Sequence, residues 1–166
     1  MSTRRAVNIL GAACCAAMLA YAILYAQGRL GLEPCPLCIF QRVGVFVLGI
    51  VFLLAAWHHP RRWGRHVYAL LIGIAAAGTA GVAARHLYVQ SLPPGTVPSC
   101  GAPLEVMLEF SPLFEVIRRV LTASGECGTV NWTFLGLSMP GWVLIAALVL
   151  GFAGVAGNVR GARPAT

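Results

Sequence analysis

The sequence predicts an all-α membrane protein, a four-transmembrane-helix bundle that forms a single domain over residues 1–166. Its composition is the first reason: hydrophobic residues make up 58% of the chain and charged residues only 10%, whereas soluble proteins average roughly half and a quarter. The other two reasons are a set of four apolar runs of membrane-spanning length and a one-sided distribution of arginine and glutamate. Together they exclude an ordinary soluble domain.

A helix needs about 20 apolar residues, at 1.5 Å of rise each, to cross the hydrocarbon core of a bilayer. The predicted spans are residues 6–27, 39–57, 67–84 and 141–157. The second reaches the required length only if it begins near Ile39 and includes Arg42. The first could instead be a signal peptide, because Arg4 and Arg5 precede it, but its apolar run exceeds the usual ~7–15 residues. We therefore expect it to persist as a span.

The charges predict the orientation of these spans. Arginines without a neighbouring acid flank both termini and the loop between the second and third spans: Arg4, Arg5, Arg61, Arg62, Arg65, Arg160 and Arg163. All five glutamates fall in the other two loops, residues 28–38 and 85–140. The positive-inside rule then places both termini in the cytoplasm and these two loops on the outer side. The net charge of +7 follows from this topology, and the arginines form no aromatic-interleaved patch typical of nucleic-acid binding.

The long outer loop is expected to contain a short amphipathic helix. Ser111 and Pro112 are typical of a helix start, and Gly125 is typical of a stop. One apolar stripe lies between them: Leu113, Phe114, Ile117, Val120 and Leu121. A helix of this kind rests naturally on the membrane surface, so we predict an interfacial location. In the third span, Gly73, Ala77 and Gly81 recur every four residues and predict a small-residue packing face.

Cys35 and Cys38 form a Cys-x-x-Cys pair at the mouth of the second span, with Arg42 one helical turn further on. Cys38 and Arg42 share a helix face, and both the guanidinium and the helix N-terminus favour a thiolate at Cys38. An arginine inside a membrane-type segment indicates function by default. Snorkelling of Arg42 to the interface is the simpler alternative.

The chain has six cysteines, of which Cys14 and Cys15 lie mid-span and are interpreted as small hydrophobic residues. The other four lie on the outer side: Cys35, Cys38, Cys100 and Cys127. A zinc site is disfavoured, because structural zinc sites favour two closely spaced pairs and only one pair here is close. Structural disulfides remain an alternative, above all for the pair in the long loop.

A Cys-x-x-Cys bridge closes too small a loop to stabilise the fold much, and its strain makes it reducible. The spacing therefore favours two exchanging disulfides on one membrane face. A dithiol relay that ends at a lipid boundary needs a lipid-soluble two-electron acceptor, and a quinone fits this requirement. Arg42 could donate hydrogen bonds to a quinone carbonyl.

Several segments share the pattern of one known family: Pro34 to Arg42, Arg85-His86 with Gln90, Cys100, Ser124 to Cys127, and Phe134 to Trp142. Together they resemble the DsbB family, the bacterial inner-membrane disulfide-forming oxidoreductases. The resemblance implies a four-helix bundle that reoxidises a periplasmic thioredoxin-like protein of the DsbA type. It also implies a membrane quinone, ubiquinone or menaquinone, as the electron acceptor and an active site on the periplasmic side.

The resemblance also implies roles by position. Cys100 would form the mixed disulfide with the partner, with Cys127 as its loop mate. Cys127 would exchange with Cys35, which leaves Cys38 as the thiolate facing the quinone.

Arg42 corresponds to the family's quinone-contacting arginine and His86 to a histidine near the same pocket, whereas Gln41 stands where some relatives have an acid. No metal is expected. Two rival functions remain open on the residues alone: a non-enzymatic membrane scaffold with structural disulfides, and a small transporter. The transporter is disfavoured because, apart from Arg42, the spans carry no buried ionisable residue.

Overall fold

The computed structural model describes residues 3–58, 63–93, 95–98, 104–122 and 125–160. Cys100, Arg61, Arg62, Arg163 and Ser124 lie outside the described residues. In chain order the elements are α1 (Thr3–Ala20) with a π-helical continuation (Tyr21–Gln27), α2 (Pro36–His58), α3 (Gly64–Ser91), α4 (Leu104–Phe110), α5 (Leu113–Thr122), a 3₁₀ turn (Gly125–Gly128), strands β1 (Thr133–Phe134) and β2 (Leu137–Ser138), and α6 (Met139–Val159).

Four helices are long and apolar enough to cross a membrane: α1 with its π-helical continuation, α2, α3 and α6. The predicted fold class, an all-α membrane protein with four spanning helices, is thereby confirmed. The third helix is longer than the sequence suggested and continues to Ser91. Residues 85–91, which the sequence analysis assigned to the outer loop, are therefore helical, and His86 lies on a helix. The first breaker after residue 84 is Pro93, so nothing in the sequence stops the helix earlier.

Glycine allows the helices to approach closely around one aromatic ring. Phe52 of α2 is 1% exposed and lies among α1, α3 and α6. A Cβ atom added to Gly11 or to Gly154 would lie within 2.9 Å of this ring. The predicted small-residue face on α3 is used only in part, because a Cβ atom added to Gly73 would lie 3.6 Å from Val155 whereas one added to Gly81 would meet no heavy atom within 4 Å. Two glycines from different helices thus make room for Phe52.

At the end of the bundle that carries the termini, α1 and α6 are joined by two buried amides. Asn8 Nδ2 donates to Asn158 Oδ1 at 3.2 Å, and Asn158 Nδ2 donates to Asn8 Oδ1 at 2.9 Å. Asn158 Nδ2 also donates to the Gly154 carbonyl at 2.8 Å. Each amide therefore satisfies the other inside the bundle.

At the opposite end, which we call the loop end, α4 and α5 cover the tops of α2 and α3. Val116 and Val120 of α5 pack with Leu37, Val89 and Cys127. The predicted helix is present, but its buried face is only partly the expected stripe: Leu113 is 64% and Phe114 is 78% exposed. Arg85 of α3 donates to the Leu121 carbonyl at 2.8 Å and so caps the C-terminus of α5. The interfacial position of α5 stays a prediction.

A short antiparallel hairpin, β1–β2, leads into α6. Its turn residues Leu135 and Gly136 both have positive φ values, 51° and 79°, which is the backbone of a type I′ turn. Trp142 Nε1 donates to the Phe134 carbonyl at 3.1 Å and fixes the hairpin to the start of α6. The rings of Phe134 in the hairpin and Trp142 in α6 are in contact, and both line the cavity described next.

Candidate functional site

A cavity of about 870 Å³ opens at the loop end, between the π-helical end of α1, the first turns of α2 and α6, and the hairpin. Most of its lining is apolar or aromatic, including Tyr21, Trp132 and Trp142. The charged, histidine and thiol side chains that line it are Glu33, Cys35, Cys38, Arg42, His86, Glu126 and Cys127. An apolar cavity with a few convergent polar groups is typical of a cofactor or substrate site.

The Cys35 carbonyl accepts the first backbone hydrogen bond of α2, from Ile39 N at 3.1 Å. Cys35 therefore precedes the helix, and Cys38 lies in its first turn, because Pro36 is well suited to the first helical position. The helical turn brings the two Sγ atoms to 3.4 Å from each other. Both thiols are half-buried, and no disulfide bond joins the two sulfurs in this structure.

Cys127 joins this pair from the far end of the long loop. It lies in the 3₁₀ turn, is 2% exposed, and packs against Leu37 and Val89. The ligand atoms of Cys35, His86 and Cys127 all lie within 4.8 Å of one another. The structure thus brings together sulfur atoms from the two loops that the sequence analysis assigned to one side of the membrane.

The contact between thiols changes the acidity of Cys35, which lies just outside the second span. A hydrogen bond with Cys127 holds the proton on Cys35, and burial acts in the same direction. Although a hydrogen bond with Cys38 opposes them, the pKa of Cys35 is raised to about 12. In the fully reduced site Cys35 is therefore a protonated thiol at neutral pH.

His86 of α3 is 2% exposed and lies between the two cysteine segments. Its Nε2 atom is 3.2 Å from the Cys127 carbonyl oxygen and 3.9 Å from Cys35 Sγ. Its Nδ1 atom is 2.9 Å from Gln41 Nε2. The sequence analysis assigned His86 to the pocket by resemblance alone, and the structure places it beside the thiols.

Arg42 lies on the cavity wall but points toward the first span. It donates to Gln27 Oε1 at 2.7 Å and to the Ala22 carbonyl at 3.1 Å. Within the described residues, its hydrogen bonds join α2 to the π-helical turn and do not reach the Cys38 sulfur. Because a guanidinium has five N–H groups, donors remain for a ligand in the cavity.

Three polar residues of the site were not assigned a role by sequence reasoning: Gln41, Gln90 and Ser138. Gln41 is 4% exposed and contacts His86. Ser138 Oγ donates to Gln90 Oε1 at 2.8 Å, and Gln90 Nε2 lies 3.5 Å from His86 Nε2. Gln41 could have been found, because an amide inside a membrane span needs a hydrogen-bond partner.

The described donor set also has the residue types of a soft-metal site. Two thiols and an imidazole match the ligands of zinc, and Cys38 Sγ lies 3.4 Å from Cys35 Sγ beside this group. The same four groups are equally suited to thiol–disulfide exchange. Exchange requires sulfur atoms in mutual contact with a path to a partner. Cys100, which the resemblance pairs with Cys127, lies outside the described residues.

A family model described as "Disulfide bond formation protein DsbB" matches residues 4–157 of the chain. Several curated proteins named "Disulfide bond formation protein B" are similar to it. The protein of Xanthomonas axonopodis pv. citri is 53% identical over 142 residues, which cover 85% of this chain and 82% of the relative. That of Nitrosococcus oceani is 50% identical over 147 residues, covering 89% and 86%. That of Methylococcus capsulatus is 48% identical over 151 residues, covering 91% and 92%.

Proposed function

Because the chain belongs to the DsbB family of disulfide bond formation proteins, we propose that it oxidises a thioredoxin-like dithiol protein and passes the electrons to a membrane quinone. The family predicted from the sequence is confirmed, and with it a disulfide-forming oxidoreductase in a multi-pass membrane protein. The electron route, the partner and the cofactor are our proposal. The contact among Cys35, Cys127 and His86 is the observation that carries it.

The proposed route uses four disulfide exchanges, and each one breaks one S–S bond and forms another. A thiolate of the partner attacks the Cys100–Cys127 disulfide at Cys100, which forms a mixed disulfide and releases the Cys127 thiolate. Cys127 then attacks Cys35 of the Cys35–Cys38 disulfide, a reaction that requires the close approach of these two sulfurs. Cys38 leaves as a thiolate, and it lines the cavity. The partner's second thiol then attacks the mixed disulfide, which releases the oxidised partner and the Cys100 thiolate. Cys100 attacks Cys127 of the Cys127–Cys35 disulfide, which re-forms Cys100–Cys127 and frees Cys35, so that the electrons of the partner now reside on the Cys35–Cys38 dithiol.

The cavity suits a quinone head group. Its volume of about 870 Å³ falls in the range of small-molecule sites, roughly 300–1,000 Å³, and its walls are apolar and aromatic. A quinone carbonyl needs a hydrogen-bond donor, and Arg42 lines the cavity with N–H groups to spare, while His86 lines it beside the thiols. When bound, the quinone, ubiquinone or menaquinone, would accept the two electrons and two protons released when a dithiol becomes a disulfide. Cys38, Arg42 and His86 are the residues that would hold its head group.

An acceptor of this kind is also required by energetics. A DsbA-type partner is a strong oxidant with a potential of about −120 mV, so its reoxidation needs an acceptor of still higher potential. A glutathione pool at roughly −200 mV would run the reaction backward. We place the active site on the periplasmic side of the bacterial inner membrane, with both termini in the cytoplasm.

The scaffold and transporter alternatives make different predictions. A scaffold with structural disulfides predicts that Cys35→Ser lowers stability and changes no reaction rate. A transporter predicts substrate flux into proteoliposomes. Neither explains why three sulfur atoms, an imidazole and an arginine converge on one apolar cavity.

The decisive experiment mixes the purified full-length protein, a water-soluble quinone and a reduced DsbA-type protein, and follows quinone absorbance. We expect steady quinone reduction by the unaltered chain and none by Cys38→Ala or Cys35→Ser, each with its helical circular dichroism intact. Cys14→Ala is the matched control, because this thiol is exposed on α1 away from the cavity, and its rate should be unchanged. Full activity in Cys38→Ala would overturn the proposal.

A further inference from the structure

Gln41 is buried in the second span, and its amide has one clear target. It is 4% exposed, and its Nε2 atom lies 2.9 Å from Nδ1 of His86. An amide nitrogen carries only donor hydrogens, whereas an imidazole nitrogen accepts only when it carries no proton. This contact therefore requires Nδ1 of His86 to be the unprotonated nitrogen, which leaves the proton of the neutral ring on Nε2.

A second contact leads to the same tautomer independently. Nε2 of His86 is 3.2 Å from the carbonyl oxygen of Cys127, and a carbonyl oxygen can only accept. If the Gln41 amide were turned so that its oxygen faced the ring, Nδ1 would carry the proton. Nε2 would then confront the Cys127 carbonyl as a second acceptor, at a cost in a buried site.

The third neighbour of the ring is compatible with this arrangement. Gln90 Nε2 lies 3.5 Å from His86 Nε2, so in this tautomer two donors face each other and form no hydrogen bond. A half-turn of the Gln90 amide would present its oxygen to the ring N–H instead. The Ser138 hydroxyl, now a donor to Gln90 Oε1 at 2.8 Å, could then accept from the amide nitrogen.

We propose that Gln41 is a positioning residue that fixes His86 as the Nε2–H tautomer. The Nε2–H group then donates to the Cys127 carbonyl and holds the loop cysteine against Cys35. Within the described residues, His86 is the side chain that contacts both cysteine segments. The side-chain hydrogen bond of Gln41 among the described residues is to His86 and not to a sulfur, so its effect on exchange passes through the imidazole ring. Its part in turnover rests on the proposed function, whereas the tautomer itself does not.

Two nearly isosteric substitutions separate positioning from simple packing. Gln41→Met keeps the volume but removes the donor, which frees Nδ1 from its partner. Gln41→Glu keeps the shape but replaces the donor with an acceptor, which favours a proton on Nδ1 of His86. A role in packing alone predicts that both variants leave the protonated nitrogen unchanged.

The first test is ¹⁵N NMR of the full-length reduced protein labelled at its four histidines, with the His86 signals identified by their loss in His86→Ala. We expect Nε2 to give a pyrrole-type signal and Nδ1 a pyridine-type signal. In Gln41→Glu, Nδ1 should become pyrrole-type. Ser138→Ala is the matched control, two contacts away from the ring, and should keep the original pattern. A protonated Nδ1 in the unaltered protein, or an unchanged pattern in Gln41→Glu, would overturn the proposal.

The second test follows steady-state turnover with the DsbA-type partner. Gln41→Met should lower kcat about tenfold, the size expected for one buried hydrogen bond, and leave the KM for the partner unchanged. A higher KM with unchanged kcat would place Gln41 in partner binding and sink its positioning role. Inactivity of the unaltered protein would instead sink the proposed function, while the NMR result would still stand or fall alone.

Discussion

The Cys35 thiol is held in its protonated form by Cys127, and this makes a quantitative prediction for the reduced protein. At pH 8 a thiol whose pKa is about 12 has about a thousandfold less thiolate than one at the ordinary value of 9.0. Alkylation proceeds through the thiolate. The rate at Cys35 should therefore be very low at pH 8 and rise about tenfold per pH unit up to about pH 11. Mass spectrometry of the iodoacetamide-treated protein measures the alkylation rate at Cys35 at each pH.

The Cys127→Ala variant provides the matched comparison for this rate. It removes the hydrogen bond that contributes most to the raised pKa of Cys35. Cys35 should then react faster at pH 8 and its rate should level off at a lower pH. A Cys35 rate that already levels off below pH 9 in the unaltered protein would contradict the role of Cys127.

The sequence predicted which residues meet at the candidate site better than it predicted how their side chains are arranged there. Spacing alone singled out Cys35, Cys38 and Arg42, because these lie within one or two helical turns. The contact of His86 with Cys127 depends on how a long loop folds back onto α3, and no local pattern encodes that. The expected pairing of Arg42 with Cys38 took no account of the π-helical turn, whose Ala22 carbonyl receives the guanidinium.

At the scale of helices, Gly154 occupies a position where the bundle has no room for a side chain. A Cβ atom there would lie 2.7 Å from the Phe52 ring and 2.8 Å from Ile72, and both side chains are fully buried. Gly154→Ala should therefore destabilise the protein by about 1–3 kcal/mol, the usual cost of overpacking a core. Unfolding of the purified protein in increasing SDS measures this loss.

Gly78→Ala is the control for that substitution. Gly78 also lies in a spanning helix, but a Cβ atom there meets no heavy atom within 4 Å. Since alanine loses less backbone entropy than glycine, the variant should be neutral or stabilised by up to about 1 kcal/mol. Equal stability losses in the two variants would show that the Phe52 contact does not decide the outcome.

The paired amides of α1 and α6 predict that substitutions at Asn8 and Asn158 have non-additive effects on the free energy of unfolding. Asn158→Leu leaves the Asn8 amide buried without its partner, and Asn8→Leu does the reverse. Each single variant should lose about 1–2 kcal/mol of unfolding free energy. The double variant should lose clearly less than the sum, because no polar group is then left unsatisfied. Additive losses in SDS unfolding would contradict a direct coupling between the two residues.

Some structural elements could be predicted from the sequence pattern alone, and others could not. Four apolar runs predicted four spans, because length and hydropathy alone decide whether a helix crosses a bilayer. The regular spacing of Gly73, Ala77 and Gly81 was a weaker guide, since the glycines without room for a Cβ atom include Gly11, Gly151 and Gly154 on other helices. The hairpin before α6 was not predicted, because two-residue strands carry too little periodicity to stand out.

At the scale of the whole molecule, the redox proposal and a resident metal site differ in what a chelator does. Cys35, Cys127 and His86 could hold a soft metal ion, yet disulfide exchange requires their sulfurs to be free. We expect treatment of the purified protein with EDTA and phenanthroline to leave both quinone reduction and thermal stability unchanged. Loss of either, restored by added zinc, would contradict the absence of a functional metal.

The redox route also demands that the two loops carrying the sulfurs face the same compartment, and the arginine distribution predicts which one. In a variant whose six cysteines are replaced by alanine, single cysteines can be introduced at three exposed positions. Leu30→Cys lies in the first outer loop, Thr129→Cys follows the 3₁₀ turn, and Thr3→Cys begins α1.

A maleimide that cannot cross the inner membrane should label Leu30→Cys and Thr129→Cys in cells with a permeabilised outer membrane. Thr3→Cys should be labelled only after lysis, because Arg4 and Arg5 hold that end in the cytoplasm. If Leu30→Cys were labelled and Thr129→Cys were not, the two cysteine segments would lie on opposite sides of the membrane. The exchange between Cys127 and Cys35 would then be impossible, since a disulfide bond cannot form between sulfurs on opposite sides of a bilayer.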